Sequence, residues 1–172
     1  MVAASSVVVR LPRSVAEVIE KEARKAGLGL EEFVLELVLQ SLDPRDRVRE
    51  YVEVAEELLE EAREELSKGD VRQAAEKVWG AAALTVKAYA EHREGRRLVS
   101  HGELWEYARK IVKELGPWVR EAWYASHAMH TCFYEGWCVK EDVEEALKRV
   151  GELVGEVKKK IFEGDDQGNS KH

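Results

Sequence analysis

From residue 14 to residue 162 the apolar positions recur at helical intervals, and glycine, proline and short polar runs interrupt them. The clearest case is Val48, Tyr51, Val52, Ala55, Leu58, Leu59, Ala62 and Leu66, which predicts a long amphipathic helix from Arg45 that ends at Gly69-Asp70. A second helix is expected from Val71 to about Arg93, its apolar face passing through Ala75, Val78, Trp79, Ala82, Val86 and Tyr89. The small residues Gly80 to Ala83 would let a neighbour approach closely. Only a tight turn separates these two, so they should pair as an antiparallel hairpin. Ser100-His101-Gly102-Glu103 has the form of a capping box and starts a third helix at His101, which Gly116-Pro117 stops. A fourth runs from Trp118 to a break near Gly136, and a last from about Glu141 to Phe162.

The first 43 residues read differently. Residues 6–11, SVVVRL, form a β-branched run closed by Pro12, which predicts a short strand. Ser14 then caps a helix that stops at Gly27, and a second helix from Leu30 to Leu42 is apolar around most of its girth. Such a unit cannot close a core alone and should dock on the rest of the chain or on a copy of itself. The expected architecture is an all-α antiparallel bundle of about five helices over residues 44–163, preceded by a strand-helix-helix segment over residues 1–43. A polar, disordered tail over residues 164–172 would follow.

Composition narrows the function classes. The formal charge is −7, which argues against a protein that grips nucleic acid by indiscriminate phosphate contact, while leaving room for a small basic cleft. No apolar stretch approaches the roughly 18 residues of a membrane span, and no signal peptide opens the chain, so a cytoplasmic protein is expected. The 35% charged content, with few Asn, Gln and Pro, suits a protein from a hot environment. Cys132 and Cys138 are expected to stay unpaired: a continuous helix would point them apart, and the cytosol is reducing. Cys132 then reads as a small apolar filler.

The chemistry concentrates in WVREAWYASHAMHTCFYEGW, residues 118–137, which holds three of the five Trp and two of the five His. On a helix, Arg120, His127, His130, Thr131 and Tyr134 share one arc, while Trp118, Ala122, Ala125, Met129, Cys132 and Phe133 take the other. One side suits a core and the other a site. The same pattern suits side chains that satisfy one another in a semi-buried interface. A zinc set of His127, His130, Cys132 and Cys138 would need converging ligands, and Cys132 points away from the histidines, so no metal or other cofactor is expected. His101 reads as a helix-start residue, and the tryptophans as packing groups.

Two resemblances add to this reading. VVVRLPRSVAEVIEKEARKAGLGLEEFVLELVLQSL resembles a ribbon-helix-helix module, a dimeric DNA-binding fold. That likeness places Arg10 as a base reader, but Glu31 and Glu32 stand where phosphate would be held. A docking or dimerisation role is therefore expected ahead of DNA binding. GDVRQAAEKVWGAAALTVKAYAEHREG, SHGELWEYARK and AMHTCFYEGW resemble the archaeal PaREP repeat family, within the HEPN superfamily of helical bundles. This resemblance implies a homodimer acting on RNA or a nucleotide. Active members of the superfamily are metal-independent ribonucleases, often toxins with an antitoxin partner, whose Arg and His have four to six residues between them. Arg120 with His127 fits that spacing, with Tyr134 one heptad on, and Arg96 with His101 fits it in a basic loop that also carries Arg97. The family pattern itself points to His130. The implied roles are His127 as acid/base, Arg120 as phosphate clamp, and His130 and Tyr134 as positioning groups. The alternative is a non-catalytic helical scaffold.

Overall fold

The computed structural model describes residues 7–164, and these form seven helices. They are α1 (Arg13–Ala26), α2 (Leu30–Leu39), α3 (Pro44–Lys68), α4 (Val71–Glu94), α5 (His101–Leu115), α6 (Trp118–Glu135) and α7 (Lys140–Phe162).

Helix α4 is the centre of the bundle. From Ala81 to Glu91 every residue is buried, because α3, α5, α6 and α7 all pack on it. Its small residues make this enclosure sterically feasible: a Cβ added at Gly80 would lie 3.1 Å from Leu58 of α3. α3 and α4 are antiparallel, as their short connection requires, since Arg47 meets Glu91 at one end and Glu61 meets Lys77 nearer the other. Gly69 turns between them with a φ of 83°, a left-handed value that a side chain would strain.

The strand expected over residues 6–11 does not form. Val7 to Leu11 have no regular structure, and Val7 and Val8 are 86% and 87% exposed. A strand needs a second strand to take its N–H and C=O groups, and the chain offers a single β-branched run. Ser6 lies outside the described residues, as does the tail after Gly164, on which the expectation of disorder falls.

The two helices at the start are present but incompletely covered. Val15, Val18, Leu30, Val34, Leu37 and Val38 are exposed, whereas Leu39 is buried in the main core. α2 stops at Leu39, three residues before the expected end, because the buried Arg47 guanidinium claims the chain there. Arg47 Nε donates to the Leu39 carbonyl at 2.8 Å, Nη2 to that of Leu42 at 2.6 Å, and Nη1 to Glu91 at 2.5 Å.

Cys132 and Cys138 form a disulfide, with their Cα atoms 5.7 Å apart, which corrects the expectation of free thiols. That expectation required one helix through both residues. Instead α6 ends at Glu135, and Gly136 takes a φ of 72° and turns the chain back. Arg72, from the first turn of α4, secures this end: Nε and Nη2 donate to the Phe133 carbonyl at 2.9 and 2.6 Å. Such a carbonyl in the last turn has no partner within its own helix, and a cation there also suits the helix dipole.

Candidate functional site

Three histidines from two helices converge on one indole. Trp79 of α4 has the rings of His130, His101 and His127 at centroid distances of 4.7, 5.5 and 5.9 Å. The His101 and His130 rings are 5.2 Å apart, and those of His127 and His130 are 6.3 Å apart. Trp105 of α5 stands 5.0 Å from His127, and Tyr134 stands 5.2 Å from His130.

Local sequence places each ring. Ser100 accepts from the Glu103 amide at 3.2 Å, and Glu103 accepts from the Ser100 amide at 3.0 Å. This capping box starts α5 at His101 and so sets that side chain at the helix mouth beside Trp79. His127, His130 and Tyr134 share a face of α6, as their spacing predicts. That face is not free, however. Neighbours on several sides leave the buried set of α6 as Val119, Ala122, Trp123, Ser126, Met129 and Cys132, while Trp118, Ala125 and Phe133 are half-buried. The core arc is therefore rotated from the expected one, and His127 and His130 lie half-buried at its margin.

The cluster carries unsatisfied polar atoms. Glu76 Oε2, Trp79 Nε1, Trp123 Nε1 and His130 Nδ1 are buried without a hydrogen-bond partner. Buried polar groups are nearly always paired, so their concentration around one set of rings makes this the candidate site. His130 Nδ1 and Glu76 Oε2 are 3.5 Å apart, near enough for ionic attraction but outside good hydrogen-bond geometry.

Burial holds the His101 and His127 imidazoles below their usual range of about 6.5, and the neighbouring His130 adds to the effect in both. Both rings are consequently neutral at pH 7. Burial likewise raises the Glu32 carboxyl of α2, against the opposing pull of Lys87, and the Tyr134 phenol, where Glu76 adds to the effect.

The other nominated residues separate into two groups. Arg120 is exposed near the start of α6, and no hydrogen bond or ion pair joins it to the histidines; Arg10 is exposed in the irregular segment before α1. Arg96 is engaged by Glu106 at 3.2 Å and Glu103 at 3.8 Å on α5. Arg97 turns inward instead, its Nη2 3.8 Å from Glu36 of α2. The sequence pairs His101 with Arg96 rather than with His127 and His130, and assigns Glu76 and Trp79 no place in the site. For His101 the Arg96 spacing was a usable signal. Glu76 and Trp79 lie within the family-like stretch from Gly69 to Gly95, which was the available signal for them.

A cleft of about 740 Å³ opens beside the cluster between α2, α3 and α4, with Glu76 and Trp79 in its wall. Glu31, Glu32, Glu61, Glu64 and Glu65 also line it, against Lys68 and Lys77. Its carboxylates would repel a phosphodiester. Among the described residues, no group of three or more His, Cys, Asp or Glu is arranged to hold a metal ion, and both cysteines are committed to the disulfide.

Fold and site together define an all-α bundle with a half-buried histidine–tryptophan cluster at the junction of α4, α5 and α6. The archaeal PaREP1/PaREP8 family matches residues 50–154, and the chain belongs to that family. The matched segment contains Glu76, Trp79 and all three clustered histidines, and it leaves out α1 and α2. No curated protein and no solved structure matches the chain.

Proposed function

We propose that the histidine cluster is an acid–base site acting on RNA without a metal, in a protein of HEPN type that works as a homodimer. The observation that carries this reading is the convergence of His101, His127 and His130 on Trp79 beside Glu76. Cleavage by this route needs a base to take the ribose 2′-OH proton as that oxygen attacks phosphorus. It also needs an acid to give a proton to the departing 5′-oxygen. The neutral His127 ring supplies the base. His130 supplies the acid, with Glu76 as the carboxylate facing its other nitrogen. Arg120, one heptad before His127 on the same face of α6, is the cation for the phosphate, and Tyr134 positions the substrate.

The test is incubation of purified protein with single-stranded and structured RNA in the presence of a chelator. Cleavage to 2′,3′-cyclic phosphate ends is expected, with large losses in His127→Ala and His130→Ala. Intact RNA, or full activity in both variants, removes the proposal.

A second reading is favoured by the carboxylates of Glu32, Glu36 and Glu76 around the site. On this reading the bundle is a non-catalytic scaffold, binding a nucleotide or a protein such as an antitoxin, with the N-terminal helices as its docking element. Binding without turnover, unchanged by the histidine substitutions, is its signature.

A further inference from the structure

Helix α2 places one carboxylate where three donors of the bundle converge. Glu36 Oε1 accepts from Lys87 Nζ of α4 at 2.6 Å. Its other oxygen lies 3.5 Å from the Tyr51 hydroxyl of α3 and 3.8 Å from Arg97 Nη2 in the loop after α4. Lys87 and Glu36 side chains are only 7% and 12% exposed, so this is a built pocket rather than a surface pair. Arg97 Nε is also buried and has no acceptor. The donors lie on α3, α4 and the α4–α5 loop, all within the segment the family shares, whereas Glu36 lies outside it.

We infer that Tyr51, Lys87 and Arg97 form a phosphate subsite of the nucleic-acid site, and that Glu36 occupies it as a tethered stand-in which RNA must displace. A carboxylate and a phosphodiester each present two charged oxygens to the same kinds of donor, so one can replace the other. The subsite adjoins the histidines: the charge on Lys87 is felt at His101, and Glu32, one turn before Glu36, feels both Lys87 and His130. The element carrying the plug is built to leave. α2 exposes Leu30, Val34, Leu37 and Val38 on its outer side, and its remaining ion pair on the bundle, Glu31 with Lys77, has an 88% exposed carboxylate. At its far end Arg47 holds the Leu39 and Leu42 carbonyls, which leaves α2 anchored at one end.

The inference rests on the RNA reading, and the test separates the two. Binding of a fluorescein-labelled oligoribonucleotide is measured by anisotropy for the full chain and its Glu36→Gln variant, with inorganic pyrophosphate as competitor. Glu36→Gln should bind about tenfold tighter, the worth of one charge-assisted contact. The gain should vanish in Glu36→Gln/Lys87→Gln. Glu31→Gln removes the same charge from the same helix and should show no comparable gain. Competition by pyrophosphate at equal concentration would assign the subsite to free phosphate compounds rather than to RNA. Amide hydrogen exchange of the wild-type protein provides a readout that needs no variant: the oligoribonucleotide should speed exchange along α2. Equal affinities for wild type and Glu36→Gln, or unchanged α2 exchange, overturn the inference even if RNA is cleaved. Tighter binding that Lys87→Gln reverses, without any cleavage, sustains the subsite and removes only the catalytic reading.

Discussion

Nδ1 of His130 lies 3.5 Å from Oε2 of Glu76, and both atoms are buried without a hydrogen-bond partner. A helix-borne imidazole and a helix-borne carboxylate thus face each other without completing a bond, and two further histidines stand within reach of the same indole.

Stability should fall as the pH drops below the ordinary histidine value. His101 and His127 have folded-state values below 6.5, so under that pH the unfolded chain takes up protons that the folded chain refuses. The penalty is absent well above pH 6.5 and complete once the pH has passed the folded values. Glu32 and Glu91, both raised by burial, act in the opposite sense, since their folded forms hold protons above the usual 4.5. Thermal unfolding of wild type beside His101→Gln/His127→Gln, between about pH 7 and pH 5, isolates the histidine contribution. Parallel curves would show that the two rings are not desolvated.

Loss of the Cys132–Cys138 disulfide should destabilise the end of α6. Loop-closure entropy for so short a ring predicts about 2 kcal/mol. Denaturant midpoints with and without reductant should differ for the wild type and coincide for Cys138→Ser. An untreated wild type that already behaves like Cys138→Ser would show that the bond does not form in solution.

Arg47→Met should be among the most damaging single substitutions. It leaves Glu91 and the Leu39 and Leu42 carbonyls without their buried donor, and breaking a buried pair costs about 3–5 kcal/mol. Urea unfolding of Arg47→Met, Glu91→Leu and the double variant tests this. The double variant should recover part of the loss, because no charge is then stranded.

At Gly80 the expected sign depends on size. An alanine Cβ would meet only Leu58 Cδ1, at 3.1 Å, and that atom is the free end of a half-buried side chain beside the cleft. Better helix propensity, about 1 kcal/mol, should outweigh the adjustment and make Gly80→Ala neutral to mildly stabilising. Gly80→Val adds bulk against α3 and should cost about 1–3 kcal/mol. Calorimetric melting temperatures of the two variants decide the matter.

Most of the helical architecture was legible in the residue pattern. The registers of α3, α4, α5 and α7, the Ser100–Glu103 box and the stops at Gly27, Gly69 and Gly116 are local features, set by spacing and backbone preference within a few residues. The expected strand was misread because pairing is never local: Val7 to Leu11 have strand-forming side chains and no partner.

For the helix from Trp118 to Glu135, residue spacing alone fixes which side chains share a face, since a helix repeats every 3.6 residues whatever surrounds it. It placed His127, His130 and Tyr134 together and proposed Arg120 with them. What meets that face is set by helix packing. Trp79 and Glu76 come from α4 and His101 from the start of α5, positions far apart in the chain that close packing of three helices brings to one point. The same holds for the disulfide, which a turn at Gly136 makes geometrically feasible, and for Glu36 on Lys87, a contact between residues 51 positions apart. Such contacts depend on how helices pack, and no local period in the sequence encodes that.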